Sequence, residues 1–103
     1  MSSFSQLELD VLRWAEARGI LKNGNVQTQM LKGVSEMGEL CDAIIKRDRS
    51  SIIDGLGDVL VVLLIVADME SLDLLSCLES AYNEIKDRRG YLNSDGVFVK
   101  EVV

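Results

Sequence analysis

The sequence of 103 residues contains no histidine and no proline. Without histidine, the chain cannot form a Ser-His-Asp or Cys-His catalytic site or a histidine-ligated zinc site. Its two cysteines, Cys41 and Cys77, lie far apart in apolar runs and form no CxxC pair, so we expect reduced thiols in the core of a cytosolic protein. Any bound metal must then be held by oxygen atoms, which favours Mg²⁺ or Mn²⁺.

Basic residues are few, and long hydrophobic segments are missing. The net charge is −6 and the pI is about 4.5, so we expect neither nucleic acid nor an anionic membrane surface as a partner. The longest apolar run, 59–67, is too short to span a bilayer, and the polar, acidic N-terminus is unlike a signal peptide. We therefore expect a cytoplasmic protein without membrane contact. Phosphate substrates remain compatible with the acidity, provided that metal cations bridge the two.

The absence of proline, with the eight glycines mostly at or between the ends of apolar runs, favours helices. An apolar fraction of 48% in a chain of this length predicts a single domain over residues 1–103. Apolar residues spaced by three and four predict an all-α bundle of four main helices, with a short β-hairpin at the C-terminus. The predicted elements are helices over 4–18, from 27 or 28 to 46, over 51–69 and from 71 or 73 to 88, a turn over 19–26, and a hairpin over 91–103.

The third predicted helix is apolar on every side between residues 59 and 67. A helix that is apolar all round is buried all round. A chain of 103 residues contains too little protein to surround such a helix. We therefore expect a homodimer or homotetramer, in which a second subunit covers part of this helix.

Four carboxylates interrupt the second and third predicted helices. Glu36 and Glu39 are three residues apart on one helix, and Asp54 and Asp58 are four apart on the next, so each pair shares a helix face. The polar link 46–49 is short, which predicts antiparallel neighbours whose acid pairs face each other. At ~4 Å and an effective dielectric of about 20, each unneutralised pair would repel by roughly 4 kcal/mol. A divalent cation makes the same arrangement favourable, so the pattern predicts a metal site.

These features also have simpler interpretations. Acidic residues are common on solvated helix faces, and the link 46–49 can be an ordinary solvated turn rather than a phosphate contact. Residues 51–54 fit a capping box, in which Asp54 would only cap the helix. Mid-helix glycines cost about 1 kcal/mol each relative to alanine, so their presence beside the acids favours the metal interpretation. The glycines in question are Gly38, Gly55 and Gly57.

The segments SEMGEL and DGLGDVL resemble the MazG-type, all-α nucleoside triphosphate pyrophosphohydrolase superfamily, whose hallmark is E-x-x-E followed by E-x-x-D or a near variant. WAEARGIL, KNGN, AYNEIKDRRG and GVFVKE are similar to small phage- and integron-type MazG-like proteins, so the resemblance covers nearly the whole chain. One position departs from the pattern. If Asp58 is its last residue, the motif glutamate falls on Gly55, and the nearest carboxylate is Asp54.

This resemblance implies a MazG-like fold completed by oligomerisation. It also implies Mg²⁺-dependent hydrolysis of an NTP or dNTP to the monophosphate and pyrophosphate, a house-cleaning activity on the nucleotide pool. Glu36, Glu39 and Asp58, with Asp54 assisting, would hold the metal, and Glu36 or Glu39 would accept a proton from the attacking water. The residues expected near the phosphates are Lys32, Tyr82, Asn83, Lys86 and Arg89, and those expected near the base and sugar are Trp14, Asn25 and Gln29.

Alternatives remain open for single residues and for the whole chain. Trp14 can instead anchor the edge of the core, and Lys86 and Arg89 can be ordinary cations at a helix C-terminus. The chain can instead be a phosphoribosyl-ATP pyrophosphohydrolase on the same fold. It can also be a non-catalytic helical interaction module, whose acids bind a structural cation or a basic partner.

Overall fold

The computed structural model describes residues 3–102, and within this range five helices precede a two-stranded hairpin. The elements are α1 (Phe4–Ala17), α2 (Ile20–Asn23), α3 (Val26–Lys46), α4 (Arg49–Met69), α5 (Leu74–Ile85), β1 (Gly90–Leu92) and β2 (Phe98–Lys100). Four of the helices are long, as the apolar spacing predicts, and α2 is a single turn in the segment predicted to be a loop. The all-α class and the C-terminal hairpin are therefore confirmed.

Local side-chain caps set the limits of the first helices. Ser3 Oγ caps α1 by accepting a hydrogen bond from the backbone N–H of Gln6 (3.1 Å). Gly19 has φ +75° and ends α1, a conformation that glycine adopts without strain. The Asn25 side chain caps α3 by accepting a hydrogen bond from the backbone N–H of Thr28 (2.8 Å). The third helical element therefore begins at Val26, slightly earlier than predicted.

The helices α3 and α4 are joined by only two residues, Arg47 and Asp48. The Asp48 carboxylate caps α4 by accepting hydrogen bonds from the backbone N–H (3.3 Å) and the hydroxyl group (2.8 Å) of Ser51, and these bonds lower the pKa of Asp48. The predicted helix start at Ser51 is therefore wrong. Asp54 lies inside α4, which excludes its alternative role as a helix cap.

Two glycines allow α3 and α4 to pack closely. A Cβ atom on Gly33 would lie 3.2 Å from Val62 Cγ1, and one on Gly55 would lie 3.1 Å from Leu40 Cδ1. Gly33, toward the start of α3, thus meets Val62, toward the end of α4. Leu40, further along α3, meets Gly55, toward the start of α4, so the two helices run antiparallel. The predicted antiparallel pair is confirmed, and Gly55 has a packing role that the sequence did not reveal.

The core lies mainly along the C-terminal half of α4, against α1 and α3. Its buried side chains are Ala15, Leu40, Ala43, Val62, Leu64, Ile65 and Ala67. Cys41 and Cys77 are both exposed, so the prediction of buried thiols is wrong. Cys41 follows the buried Leu40 and faces away from the core, while α5, which carries Cys77, has no buried residue.

The C-terminal segment forms α5 and the hairpin. Asp73 caps α5, which ends at Ile85, before the predicted end at residue 88. Gly90 begins β1 instead of terminating the helix, and β1 pairs with β2 in an antiparallel arrangement. Asn93 Oδ1 accepts a hydrogen bond from the backbone N–H of Val97 (3.0 Å), which closes the turn of the hairpin.

The helix α4 is apolar well beyond what its own chain covers. By length and composition alone, its 21 residues are apolar enough to cross a membrane, a property that core helices of globular proteins share. Only 28% of its most apolar stretch is buried within the described chain. A large part of its apolar surface therefore remains open.

Candidate functional site

The candidate carboxylates lie along the seam between α3 and α4. The pKa of Glu36 is raised, first because partial burial removes water from its carboxyl group, and then because the negative charges of Glu39 and Asp58 are close. Lys32, one helical turn before Glu36, opposes this rise. Since Asp58 on α4 acts on Glu36 of α3, the acids of the two helices face each other across the seam, as their spacing predicts.

Two cavities open along this seam, and Asp58 lines both. The first, which we call the acidic cavity, has a volume of about 320 Å³ and is lined by Glu39, Asp42, Ala43, Lys46, Asp48, Ser51, Asp54, Gly55 and Asp58. The second, which we call the mixed cavity, has a volume of about 190 Å³ and is lined by Trp14, Ile20, Gln29, Lys32, Glu36, Asp58, Val61, Val62 and Ile65. Asp58 therefore connects a strongly acidic space with one that has polar and apolar walls.

The acidic cavity has an excess of negative charge. Its single basic residue, Lys46, places Nζ 2.8 Å from a carboxylate oxygen of Asp42, so these two charges largely neutralise each other. Within residues 3–102, Glu39, Asp54 and Asp58 form no ion pair. These three carboxylates are therefore the ones available to a cation.

The donor chemistry of the seam fits a hard divalent cation. All candidate ligands are carboxylate oxygens, which Mg²⁺ and Mn²⁺ prefer in proteins. Within residues 3–102, no three acidic or cysteine side chains converge closely enough, in their present rotamers, to coordinate one ion. Glu39, Asp54 and Asp58 are exposed on two helices that are packed together. Rotation of side chains, without movement of the backbone, is therefore the adjustment that we expect metal binding to require.

The mixed cavity brings together three of the expected substrate residues, Trp14 from α1 and Gln29 and Lys32 from α3. The Trp14 side chain is 46% exposed, and the Arg18 guanidinium carbon lies 5.5 Å from its ring centroid. An exposed indole can stack on an aromatic ring, an amide both donates and accepts hydrogen bonds, and an ammonium group attracts anions. The cavity can therefore hold a flat polar ring beside an anionic group.

The apolar wall of the mixed cavity was missed in the sequence. Ile20 lies on α2, in the segment predicted to be a loop. Val61 and Ile65 belong to the run interpreted as a subunit contact, yet they line this cavity. Their spacing from Asp58 could have predicted this position, since Val61 and Ile65 lie three and seven residues after Asp58. Residues at these intervals share one helix face.

Five of the expected substrate residues line neither cavity; they are Asn25, Tyr82, Asn83, Lys86 and Arg89. The Asn25 side chain caps α3 instead. Asn83 and Arg89 line a separate open cavity of about 620 Å³ between α5 and the hairpin. There, Arg89 Nε lies 3.7 Å from Glu101 Oε2. The role of the α5 residues in phosphate contact stays a prediction.

Comparison with known proteins places the chain in a family. The family model described as the MazG nucleotide pyrophosphohydrolase domain matches residues 25–91, which is more than half of the chain. The chain therefore belongs to the MazG family. It is also 34% identical over 73 residues to an uncharacterized 18.2 kDa protein in the rep-hol intergenic region of Haemophilus phage HP1 (strain HP1c1). That alignment covers 71% of this chain and 45% of the phage protein, so the chain spans less than half of its relative. No solved structure matches the chain.

The family match divides the site into two parts. The matched residues 25–91 include all four carboxylates and also Gln29 and Lys32. Trp14 and Ile20, which line the mixed cavity from α1 and α2, lie outside the match. The acidic seam is therefore the part of the site that the family match includes, and part of the mixed cavity is built by residues outside it.

Proposed function

We propose that this chain is an Mg²⁺-dependent nucleoside triphosphate pyrophosphohydrolase, which converts an NTP or dNTP to the monophosphate and pyrophosphate; Mn²⁺ is the alternative metal. The observation that carries this proposal is the position of Asp58, which lines both the acidic cavity and the mixed cavity. A metal-bound triphosphate on the acidic side and its nucleoside on the mixed side would then share one seam. Membership of the MazG family supports the same reaction.

In the proposed reaction, a water molecule adds to a phosphorus atom of the linkage between the α- and β-phosphates, and the bond from that phosphorus to the bridging oxygen breaks. Glu36 or Glu39 accepts the proton that the water loses. Mg²⁺, when bound, supplies neutralisation of phosphate charge and orientation of the water. Lys32 attracts a phosphate oxygen, and Trp14 stacks on the base.

A nucleotide panel tests the reaction. The purified chain is incubated with the common NTPs and dNTPs and Mg²⁺, and released pyrophosphate is measured. We expect release from at least one nucleotide, and a loss of roughly 100-fold or more in kcat/KM for Glu39→Gln, because a ligand oxygen becomes an amide. Asp42→Asn is the matched control, since Asp42 lines the same cavity but is paired with Lys46; it should retain most activity.

The same panel separates the alternatives. If no nucleotide yields pyrophosphate above the Glu39→Gln background, the enzyme proposal fails. Faster turnover of phosphoribosyl-ATP than of any NTP or dNTP would assign the chain to that reaction instead. A basic partner that binds the Glu39→Gln variant as well as the original chain, without turnover, would indicate an interaction module.

The metal roles of the two aspartates are tested by comparing Asp58→Asn with Asp54→Asn. Asp58 lines both cavities, whereas Asp54 lines only the acidic one. We expect Asp58→Asn to abolish measurable turnover and Asp54→Asn to lower kcat/KM by about 10-fold, with a higher Mg²⁺ requirement. Activity measured over a range of Mg²⁺ concentrations gives the metal requirement of each variant, and calorimetry gives its affinity for Mg²⁺. Equal activity of Asp54→Asn and the original chain would remove Asp54 from the ligand set.

A further inference from the structure

The indole of Trp14, which lines the mixed cavity, is not fixed by burial. It is 46% exposed, although the next residue along α1, Ala15, is fully buried. An exposed side chain can occupy more than one rotamer, and rotamer freedom that is given up on binding lowers affinity. A stacking surface in this cavity therefore needs a further group that restrains the indole.

The guanidinium group of Arg18 is placed to provide that restraint. Its carbon atom lies 5.5 Å from the ring centroid of Trp14, which is within the range of a cation–π interaction. Arg18 follows Trp14 by one helical turn, and its backbone N–H donates a hydrogen bond to the Trp14 carbonyl oxygen (3.1 Å). Long side chains of a helix point back toward its N-terminus, so the backbone of α1 itself brings the guanidinium group onto the ring.

The position of Arg18 relative to the cavity defines which side of the indole it covers. Arg18 lines neither the mixed cavity nor the acidic cavity, whereas Trp14 lines the mixed one. The indole therefore separates the guanidinium group from the mixed cavity. Within residues 3–102, the ion pairs join Lys46 to Asp42 and Arg89 to Glu101, so Arg18 is not held elsewhere by an acidic partner.

We propose that Arg18 is a positioning residue, which holds the Trp14 indole in the orientation that receives the base and does not itself contact the nucleotide. This inference rests on the proposed function, because it assigns the base to the mixed cavity. It gives a role to a residue outside the family match at 25–91. A restrained indole loses less freedom when the base binds, so Arg18 acts on substrate affinity and leaves the hydrolytic step unchanged.

Direct contact with a phosphate group is the competing role for Arg18, since a guanidinium group binds phosphate well. The geometry favours the positioning role, because Lys32 and the seam carboxylates line cavities that Arg18 does not reach. The two roles also differ in their dependence on the indole. The positioning role requires Trp14, whereas a phosphate contact does not, so a double-mutant cycle separates them.

The first test needs no nucleotide and uses the fluorescence of Trp14, the single tryptophan of the chain. In Arg18→Gln, we expect faster quenching by acrylamide and a lower anisotropy, because one face of the ring is uncovered and the indole moves more freely. Arg13→Gln is the matched control, because it removes the same charge from an exposed position of α1 beside Trp14 while the cation over the ring stays in place. Equal quenching of Arg18→Gln and the original chain, or the same increase in Arg13→Gln, overturns the proposal.

The second test uses the nucleotide that the panel shows to be hydrolysed fastest, together with its α,β-methylene analogue. With Mg²⁺ present, Arg18→Gln should raise KM, and the Kd of the analogue by calorimetry, by about 2- to 5-fold, with kcat unchanged. Arg18→Lys should lie between Arg18→Gln and the original chain, because lysine keeps the charge but not the planar guanidinium group. In the Trp14→Ala background, Arg18→Gln should have no further effect.

The contrary outcomes of this second test are distinct. An increase in Kd that persists without Trp14 would make Arg18 a direct substrate contact. A lowered melting temperature with unchanged KM and Kd would leave it a structural role only. Either result contradicts the proposal. If the original chain hydrolyses no nucleotide, the proposed function fails, and the quenching experiment still decides whether Arg18 restrains the indole.

Discussion

At the scale of single residues, Gly55 explains the point at which this chain departs from the E-x-x-D pattern. The position faces Leu40 across the α3–α4 contact, and a Cβ atom there would lie 3.1 Å from Leu40 Cδ1. A glutamate at position 55 would therefore begin inside the helix contact. Asp54, one residue earlier, is exposed and lines the acidic cavity instead. The packing thus favours Asp54 as the carboxylate that serves this part of the seam.

Two glycines of α4 provide a matched prediction for stability. Nothing lies within 4 Å of a Cβ atom on Gly57, whereas one on Gly55 would press on Leu40. Gly57→Ala should raise the free energy of unfolding by about 0.5–1 kcal/mol, because alanine favours a helix. Gly55→Ala should lower the free energy of unfolding by about 1 kcal/mol, because the cost of overpacking against Leu40 exceeds the gain in helix propensity. Urea unfolding measures both, and a gain for Gly55→Ala would show that Leu40 yields readily.

Trp14 provides a prediction for substrate binding. If the indole stacks on the base, Trp14→Ala should remove about 1–3 kcal/mol of binding, which raises KM by about 5- to 150-fold. Trp14→Phe should restore most of the affinity, because it keeps an aromatic face. Steady-state kinetics measure KM, and quenching of this single tryptophan by nucleotide gives a second readout. Unchanged KM with a lowered melting temperature would instead favour an anchor at the edge of the core.

At the scale of elements, helix caps determine the boundaries better than apolar spacing does. Apolar periodicity identified the four long helices, but it placed the start of α4 too late, at residue 51 instead of Arg49, and the end of α5 too late, at residue 88 instead of Ile85. The reason is that capping depends on where a side-chain oxygen meets a backbone N–H. The capping box at residues 51–54 predicted a start at Ser51, whereas in the structure the Asp48 carboxylate accepts the hydrogen bond from the backbone N–H of Ser51.

The Asp73 cap makes the stability of α5 dependent on pH. Hydrogen bonds from Ser76 hold the pKa of Asp73 below its usual value, while partial burial and the nearby Asp73 raise the pKa of Glu8. A lowered folded-state pKa means that the stabilisation by Asp73 is present above its unfolded-state pKa and is lost as pH falls through its folded-state pKa. The folded-state pKa of Glu8 is raised, so its charged carboxylate destabilises the fold at neutral pH. This unfavourable contribution to stability decreases as pH falls and Glu8 becomes protonated.

The corresponding variant is Asp73→Ala. It should lower the melting temperature by a few degrees at pH 7, because the N-cap acceptor is lost. Asp73→Asn should lose less, because its side-chain oxygen still accepts the hydrogen bond from Ser76. Thermal unfolding followed by circular dichroism over a pH series measures this. The deficit of Asp73→Ala should shrink toward low pH, and a deficit that grows on acidification would contradict the sign of the pKa shift.

At the scale of the whole molecule, a small core is combined with a large open apolar surface. The buried side chains cluster where α1 and α3 meet α4, while α5 has no buried residue. A single chain of this shape would be marginally stable, because burial of apolar surface is the main favourable term in folding. The homodimer or homotetramer expected from the sequence would supply burial that the single chain lacks.

This arrangement predicts that stability depends on protein concentration. For a dimer that unfolds to separate chains, about a hundredfold dilution removes about 2.7 kcal/mol of apparent stability per dimer. The unfolding midpoint in urea should therefore fall on dilution of the original chain. A constant midpoint for the original chain would contradict folding coupled to association.

The sequence by itself determined the long helices, the hairpin and the two faces that carry the acid pairs. Apolar periods and intervals of three or four residues are local properties of a helix, so they can be read without knowing any neighbour. The short link between α3 and α4 then brought Glu36 and Asp58 to the same seam.

Only the tertiary structure decided how distant segments combine. It placed Trp14 of α1 beside Glu36 and Asp58, assigned Gly55 to the contact with Leu40, and left Cys41 exposed on an apolar face. None of these follows from local spacing, because each depends on which face of one helix meets which residue of another. That choice is made by packing over the whole chain, in which a difference of one residue along a helix turns a side chain by about 100°.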